Sequence, residues 1–182
     1  MTKLLSTEQI AEFANSGCLF FEGLIDEDIY EEFLNDIGHT DIDDVDNIQH
    51  YFQNIKSSSS IPRIPAGTAL KDAYPLNSPL EKIFKNEIVS GAINSLVGSK
   101  TVVDHQFLHL TFPSKYYAKA NQRQMSQVNH QDSTIDPRTT FDIQLFYFPT
   151  AVTKEMGGTR YIPGTHLRLS LIHISEPTRR PI

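Results

Sequence analysis

Tryptophan is absent from the 182 residues, and cysteine occurs once, at Cys18. A lone thiol cannot close a disulfide within the chain, so nothing points to an oxidising compartment and a cytoplasmic protein is expected. Long apolar runs are missing as well. Residues 1–5 pass straight into Ser6-Thr7-Glu8-Gln9, and no later segment reaches the roughly 18 apolar residues that a membrane span needs. Neither a signal peptide nor a membrane anchor is expected. Positive charge is the scarcer sign, with 16 Lys and Arg against 22 Asp and Glu and a formal charge of −6. These basic residues form no cluster that could track a phosphate backbone, so no nucleic-acid partner is expected. What remains is 39% hydrophobic, with 7 Tyr, 11 Phe, 10 Pro and 9 Gly. That composition suits one loop-rich globular domain containing strands better than a helical bundle.

The first half carries helix signals. Ser6 and Gln9 have the spacing of a capping box, Ile10, Phe13 and Ala14 share one face, and Gly17 stops the turn. Residues 18–24 (CLFFEGL) read as a buried strand, and Asp26 as the N-cap of a helix over 27–37 whose Ile29, Phe33 and Ile37 recur at i, i+4, i+8. Residues 40–46 (TDIDDVD) hold four aspartates, but the glycine and glutamate of a calcium loop are not in register, so a solvated loop is expected. Four consecutive serines and Pro62, Pro65, Pro75 and Pro79 mark residues 56–80 as an irregular surface crossing. Pro79 then opens a helix with Leu80, Ile83 and Phe84 on one face, and a second helix runs over about 87–97 before Gly98.

The second half reads as strands at 101–112 (TVVDHQFLHLTF), 140–148 (TFDIQLFYF) and 159–162, the last closed by Pro163-Gly164. Helices followed by strands make the expected class α+β with a mostly antiparallel sheet, which can close into a double-sheet jelly roll.

His130-Gln131-Asp132 is the triplet with the most chemistry. On extended backbone, residues i and i+2 project from one face, so imidazole and carboxylate converge on a single metal. With a third ligand from another strand they form a two-His-one-carboxylate face, which leaves positions on ferrous iron open. A zinc or manganese cupin-like site would need further His or Glu ligands nearby, and Gln127 and Asn129 are poor substitutes.

The order of this triplet, a strand from about Thr140, and Gly157-Gly158-Thr159-Arg160-Tyr161-Ile162-Pro163-Gly164-Thr165-His166 resembles the phytanoyl-CoA dioxygenase family of iron and 2-oxoglutarate oxygenases. Residues 5–10, Phe13, Gly17 and the second helix are similar to the start of that family. The resemblance implies a double-stranded β-helix, jelly-roll or cupin-like, with N-terminal flanking helices. It implies Fe(II) held by His130 and Asp132, and a 2-oxoglutarate site lined by Gln106, Thr111 and Tyr147. It further implies a small-molecule substrate, dioxygen as co-substrate, and release of succinate. In the family the PGTH histidine, here His166, is not a ligand. The distal His and the Arg that pairs with the 2-oxoglutarate carboxylate lie farther on, and neither is found here. A non-catalytic jelly-roll domain that binds a small ligand is the alternative.

Residues 169–179 (LSLIHISEPTR) look like a translated sequencing adapter. The expectation is therefore a partial oxygenase domain over 1–168, incomplete at its C-terminus and itself inactive, followed by an artefactual tail over 169–182 that makes few buried contacts.

Overall fold

The computed structural model describes residues 2–40, 55, 63–108, 142–153, 156 and 158–167. Among them are four helices, the third of which packs against the second and the fourth, and a two-stranded antiparallel ribbon.

Helix α1 spans Thr7–Ser16 and begins with the expected capping box: Gln9 N–H donates to Ser6 Oγ (3.2 Å), and Ser6 N–H donates to Gln9 Oε1 (3.0 Å). Gly17 ends it in the left-handed region at φ 82°, where a glycine carries no Cβ penalty. The expected apolar face is only partly covered, because Ile10 stays 45% exposed and no residue of α1 is fully buried. Helix α2 spans Glu27–Asp36 and buries Phe33, with Ile37 just beyond its end. Asp26 holds the N-cap position through its backbone alone, since its side chain makes no cap hydrogen bond and its carbonyl accepts from Ile29 and Tyr30.

Helix α3 spans Pro79–Lys85, opened by Pro79 as the sequence predicts and capped by Ser78, whose Oγ accepts from the Glu81 amide (3.3 Å). Helix α4 spans Glu87–Val97 and ends at Gly98. Asn86 joins the two. Its Oδ1 accepts from the Ile88 and Val89 amides (2.9 and 3.3 Å), while its Nδ2 donates to the Leu24 carbonyl (3.2 Å), which ties the start of α4 to the approach to α2. Among the described residues the core is Phe33 and Ile37, Ile83, Val89 and Ile93, together with Leu5, Ile55 and Val103. Ile83 is the deepest, 2% exposed, where α2 and α3 meet. Across the same contact Lys82 Nζ lies 2.5 Å from Glu32 Oε2, a half-exposed pair that contributes orientation more than stability.

The α half of the α+β expectation is present, whereas the sheet is reduced. Strand β1 is Thr68–Ala69 and β2 is Val102–Val103, paired antiparallel with Thr68 opposite Val103. The strand expected over 101–112 is thus two residues long within its described part, and the reason is its partner. Before β1 the chain turns at Gly67 (φ 84°), and after it a 3₁₀ turn at Leu70–Asp72 leads to Pro75, so the irregular crossing offers only two residues to the ladder.

The strand expected over 18–24 is not formed; these residues run without a ladder partner, and Phe20 is 69% exposed rather than buried. The described residues of the expected strands at 140–148 and 159–162 also lack ladder bonds. Residues 146–150 nonetheless keep the period of two. Phe146 and Phe148 point outward and stack on each other (centroids 6.3 Å), while Tyr147 turns inward onto Phe33. High β-propensity reports a side chain's fit to a half-buried pleated surface and supplies no hydrogen-bonding neighbour. Among the described residues the double-stranded β-helix is therefore not formed. The acidic stretch 41–46 and residues 168–182, including the whole tail 169–182, lie outside the described residues. No described helix is long and apolar enough to cross a membrane.

Candidate functional site

His130, Asp132 and Thr111 lie outside the described residues, so the structure gives geometry for Gln106 and Tyr147. Gln106 follows β2 and is half-buried. Its Oε1 accepts a hydrogen bond from the Tyr74 hydroxyl (2.8 Å). The Tyr74 ring stacks on Phe84 of α3, with centroids 4.9 Å apart and planes at 13°, and burial pushes its phenol up to about 12. Tyr74 is a partner that sequence reasoning did not find. The bond spans 32 positions, and Tyr74 sits in the proline-rich crossing where no hydrophobic period exists to mark it.

Tyr147 meets Phe33 edge to face, centroids 5.6 Å apart at 72°. Its hydroxyl is buried with no hydrogen-bond partner among the described residues. Burial, with a smaller contribution from Tyr30, raises its pKa, so the group is a protonated donor at neutral pH. An unpaired buried hydroxyl costs on the order of 1–3 kcal/mol, which favours any ligand that can accept from it.

The PGTH segment has a different task. Gly164 N–H donates to the Ser16 carbonyl (2.8 Å), and His166 Nε2 lies 3.1 Å from the Ala14 carbonyl oxygen. Both acceptors belong to the last turn of α1, whose carbonyls have no intrahelical partner. His166 therefore caps a helix, its ring beside Phe13 (6.4 Å) and its Nδ1 turned toward Gly17. A Cβ at Gly17 would collide with the imidazole at Nδ1 and Cγ, besides being strained at φ 82°. Gly17→Ala should lower stability by roughly 1–3 kcal/mol in urea unfolding and shift the His166 ring resonances. Unchanged stability with an unmoved His166 would mean that the histidine is not docked there.

A cleft of about 580 Å³ opens beside Tyr74, between the 3₁₀ turn and helices α3 and α4. Among the described residues no group of three or more His, Cys, Asp or Glu side chains is placed to hold a metal ion. Imidazole and carboxylate, the donors that His130 and Asp132 supply, are the types that suit ferrous iron.

A family model described as phytanoyl-CoA dioxygenase (PhyH) matches residues 13–173, a span that contains all five of the residues named from the sequence. The match also runs five residues past position 168. No curated protein and no solved structure matches the chain.

Proposed function

The chain belongs to the phytanoyl-CoA dioxygenase family, whose members generally use Fe(II) and 2-oxoglutarate, and from that premise we propose that it derives from a dioxygenase that hydroxylates a small organic or acyl substrate. The observation that carries the reading is the His130-Gln131-Asp132 triplet inside the matched span. His130 and Asp132 would hold Fe(II), which with 2-oxoglutarate would let dioxygen serve as the oxidant, one oxygen atom going to the substrate and the other to succinate as CO2 is lost.

The remaining roles fall to side chains that position the co-substrate. Tyr147 donates its buried hydroxyl to a carboxylate oxygen, a charge-assisted bond that replaces the partner it lacks. Gln106 lines the same site with its carboxamide oxygen fixed by Tyr74, and Thr111 lines it from farther along that segment. The Phe33 ring beneath Tyr147 keeps water from its inner face. The reading assigns residues 1–168 to the oxygenase domain and sets 169–182 outside it.

The test is succinate release by the full-length parent of residues 1–168. Release is expected only when Fe(II) and 2-oxoglutarate are both supplied. A folded parent that forms no succinate with both present would refute the assignment and favour the ligand-binding alternative.

A further inference from the structure

We propose that the cleft beside Tyr74 is a binding site for a small amphipathic anion: a flat apolar body carrying one carboxylate or phosphate group. Nothing in the proposal depends on His130 or Asp132. At about 580 Å³ the cleft is in the range of small-molecule sites, and its floor is apolar. Leu70, Ile93 and the stacked pair Tyr74 and Phe84 supply that floor. The ring pair is preformed, because Tyr74 is held at its far end by Gln106, so an apolar body meets a fixed wall rather than a mobile one.

The charge on the rim selects the head group. Three lysines, Lys71, Lys85 and Lys100, line the cleft against a single acid, Glu81, in a protein whose overall charge is −6. Glu81 is already engaged. Its carboxylate lies 2.6 Å from Lys85 Nζ and accepts from the Asn77 amide (2.7 Å), which together hold it below the usual carboxylate range. Lys71 is 3.9 Å from Asp72, with both side chains largely in solvent, a weak pairing. Lys100 has no carboxylate partner among the described residues. Beside it, the Ser99 hydroxyl and the Asn94 carboxamide make no side-chain hydrogen bond among the described residues. The lining of the cleft therefore offers an ammonium, a hydroxyl and an amide, all able to donate and none committed elsewhere among the described residues. Donors set in an apolar lining are the arrangement that recognises an anionic head on an apolar body.

Three probes of one shape separate charge from mere apolar adhesion: 4-phenylbutyrate, 4-phenylbutanol and 4-phenylbutylamine. Each is titrated into the full chain by calorimetry, with backbone amide shifts followed by NMR. The carboxylate is expected to bind about tenfold more tightly than the amine, with the alcohol between them, and to shift the amides of Asn94, Ser99 and Thr101. Lys100→Glu, an exposed change that leaves the core untouched, should weaken the carboxylate about tenfold and reverse its preference over the amine. Lys100→Gln should give an intermediate loss. Equal affinity for all three head groups, no binding of the carboxylate, or shifts centred on the exposed Phe146 and Phe148 would overturn the proposal. The oxygenase reading is read out by succinate and does not enter any of these measurements.

Discussion

Gly91→Ala is expected to destabilise the protein by roughly 2–3 kcal/mol, although alanine is the better helix former by about 1 kcal/mol. Gly91 is buried in the middle of α4, and the backbone of Lys3 lies directly over it. A Cβ at that position would overlap the Lys3 carbonyl carbon and oxygen, which are backbone atoms with no side-chain torsion to relieve the contact. The N-terminal segment would have to leave. Its departure breaks the bond from Lys3 N–H to the Glu87 carbonyl (3.0 Å) and the bond from Leu5 N–H to Ser95 Oγ (3.0 Å). It also uncovers Leu5, one of the buried core side chains. Two hydrogen bonds at about 1 kcal/mol each and a leucine at about 2 outweigh the gain in helix propensity, which fixes the sign. Urea unfolding should show the loss, and the first residues should become sensitive to protease. Ser95→Ala, which removes the Leu5 bond and the bond from the Ser95 hydroxyl to the Gly91 carbonyl (2.8 Å) but adds no atom beneath Lys3, is the control and should lose about 1 kcal/mol. A Gly91→Ala protein stabilised by the propensity gain would mean that the segment does not cross the helix there.

The same close approach shows what could be read from the chain beforehand and what could not. Helix ends are legible because their chemistry is local: Ser6 with Gln9, Pro79 at a first helical position, and Gly17 and Gly98 as stops all act within a turn of the residues that they start or cap. Gly91 gave no such signal, since the atom that requires it belongs to a residue 88 positions away. Strands were read in excess for the complementary reason. Residues 18–24 and 142–148 have strand composition, and the second alternates at its end, with Tyr147 inward and its two neighbours outward. A ladder also needs a neighbour, and only β1 and β2 have one among the described residues. The site divides along the same line. His130 and Asp132 are a local pattern, two positions apart, and stood out as a triplet. Gln106 and Tyr147 were named through the family resemblance, and the partners that give them chemistry, Tyr74 and Phe33, come from distant parts of the chain.

That local pattern carries the largest functional effect. On the oxygenase reading, His130→Ala and Asp132→Ala should each cost at least about a hundredfold in iron affinity and reduce succinate release to background. Loss of a group that merely orients a ligand costs on the order of 10–100-fold in affinity, so loss of a ligand itself sets a floor above that range. The two changes differ in charge, which gives the prediction a second readout. Removing the imbalance-neutralising carboxylate at Asp132 takes away both a donor and a negative charge, whereas His130→Ala removes a neutral donor, so Asp132→Asn should recover shape and little affinity. Iron retained per protein after desalting checks affinity without requiring turnover. The unfolding midpoint separates loss of a metal ligand from a stability defect: it should stay near the value of the unsubstituted protein in the first case and fall in the second. Full iron retention and normal succinate release in either alanine variant would remove the triplet from the metal site and, with it, the residue pair on which the oxygenase reading rests.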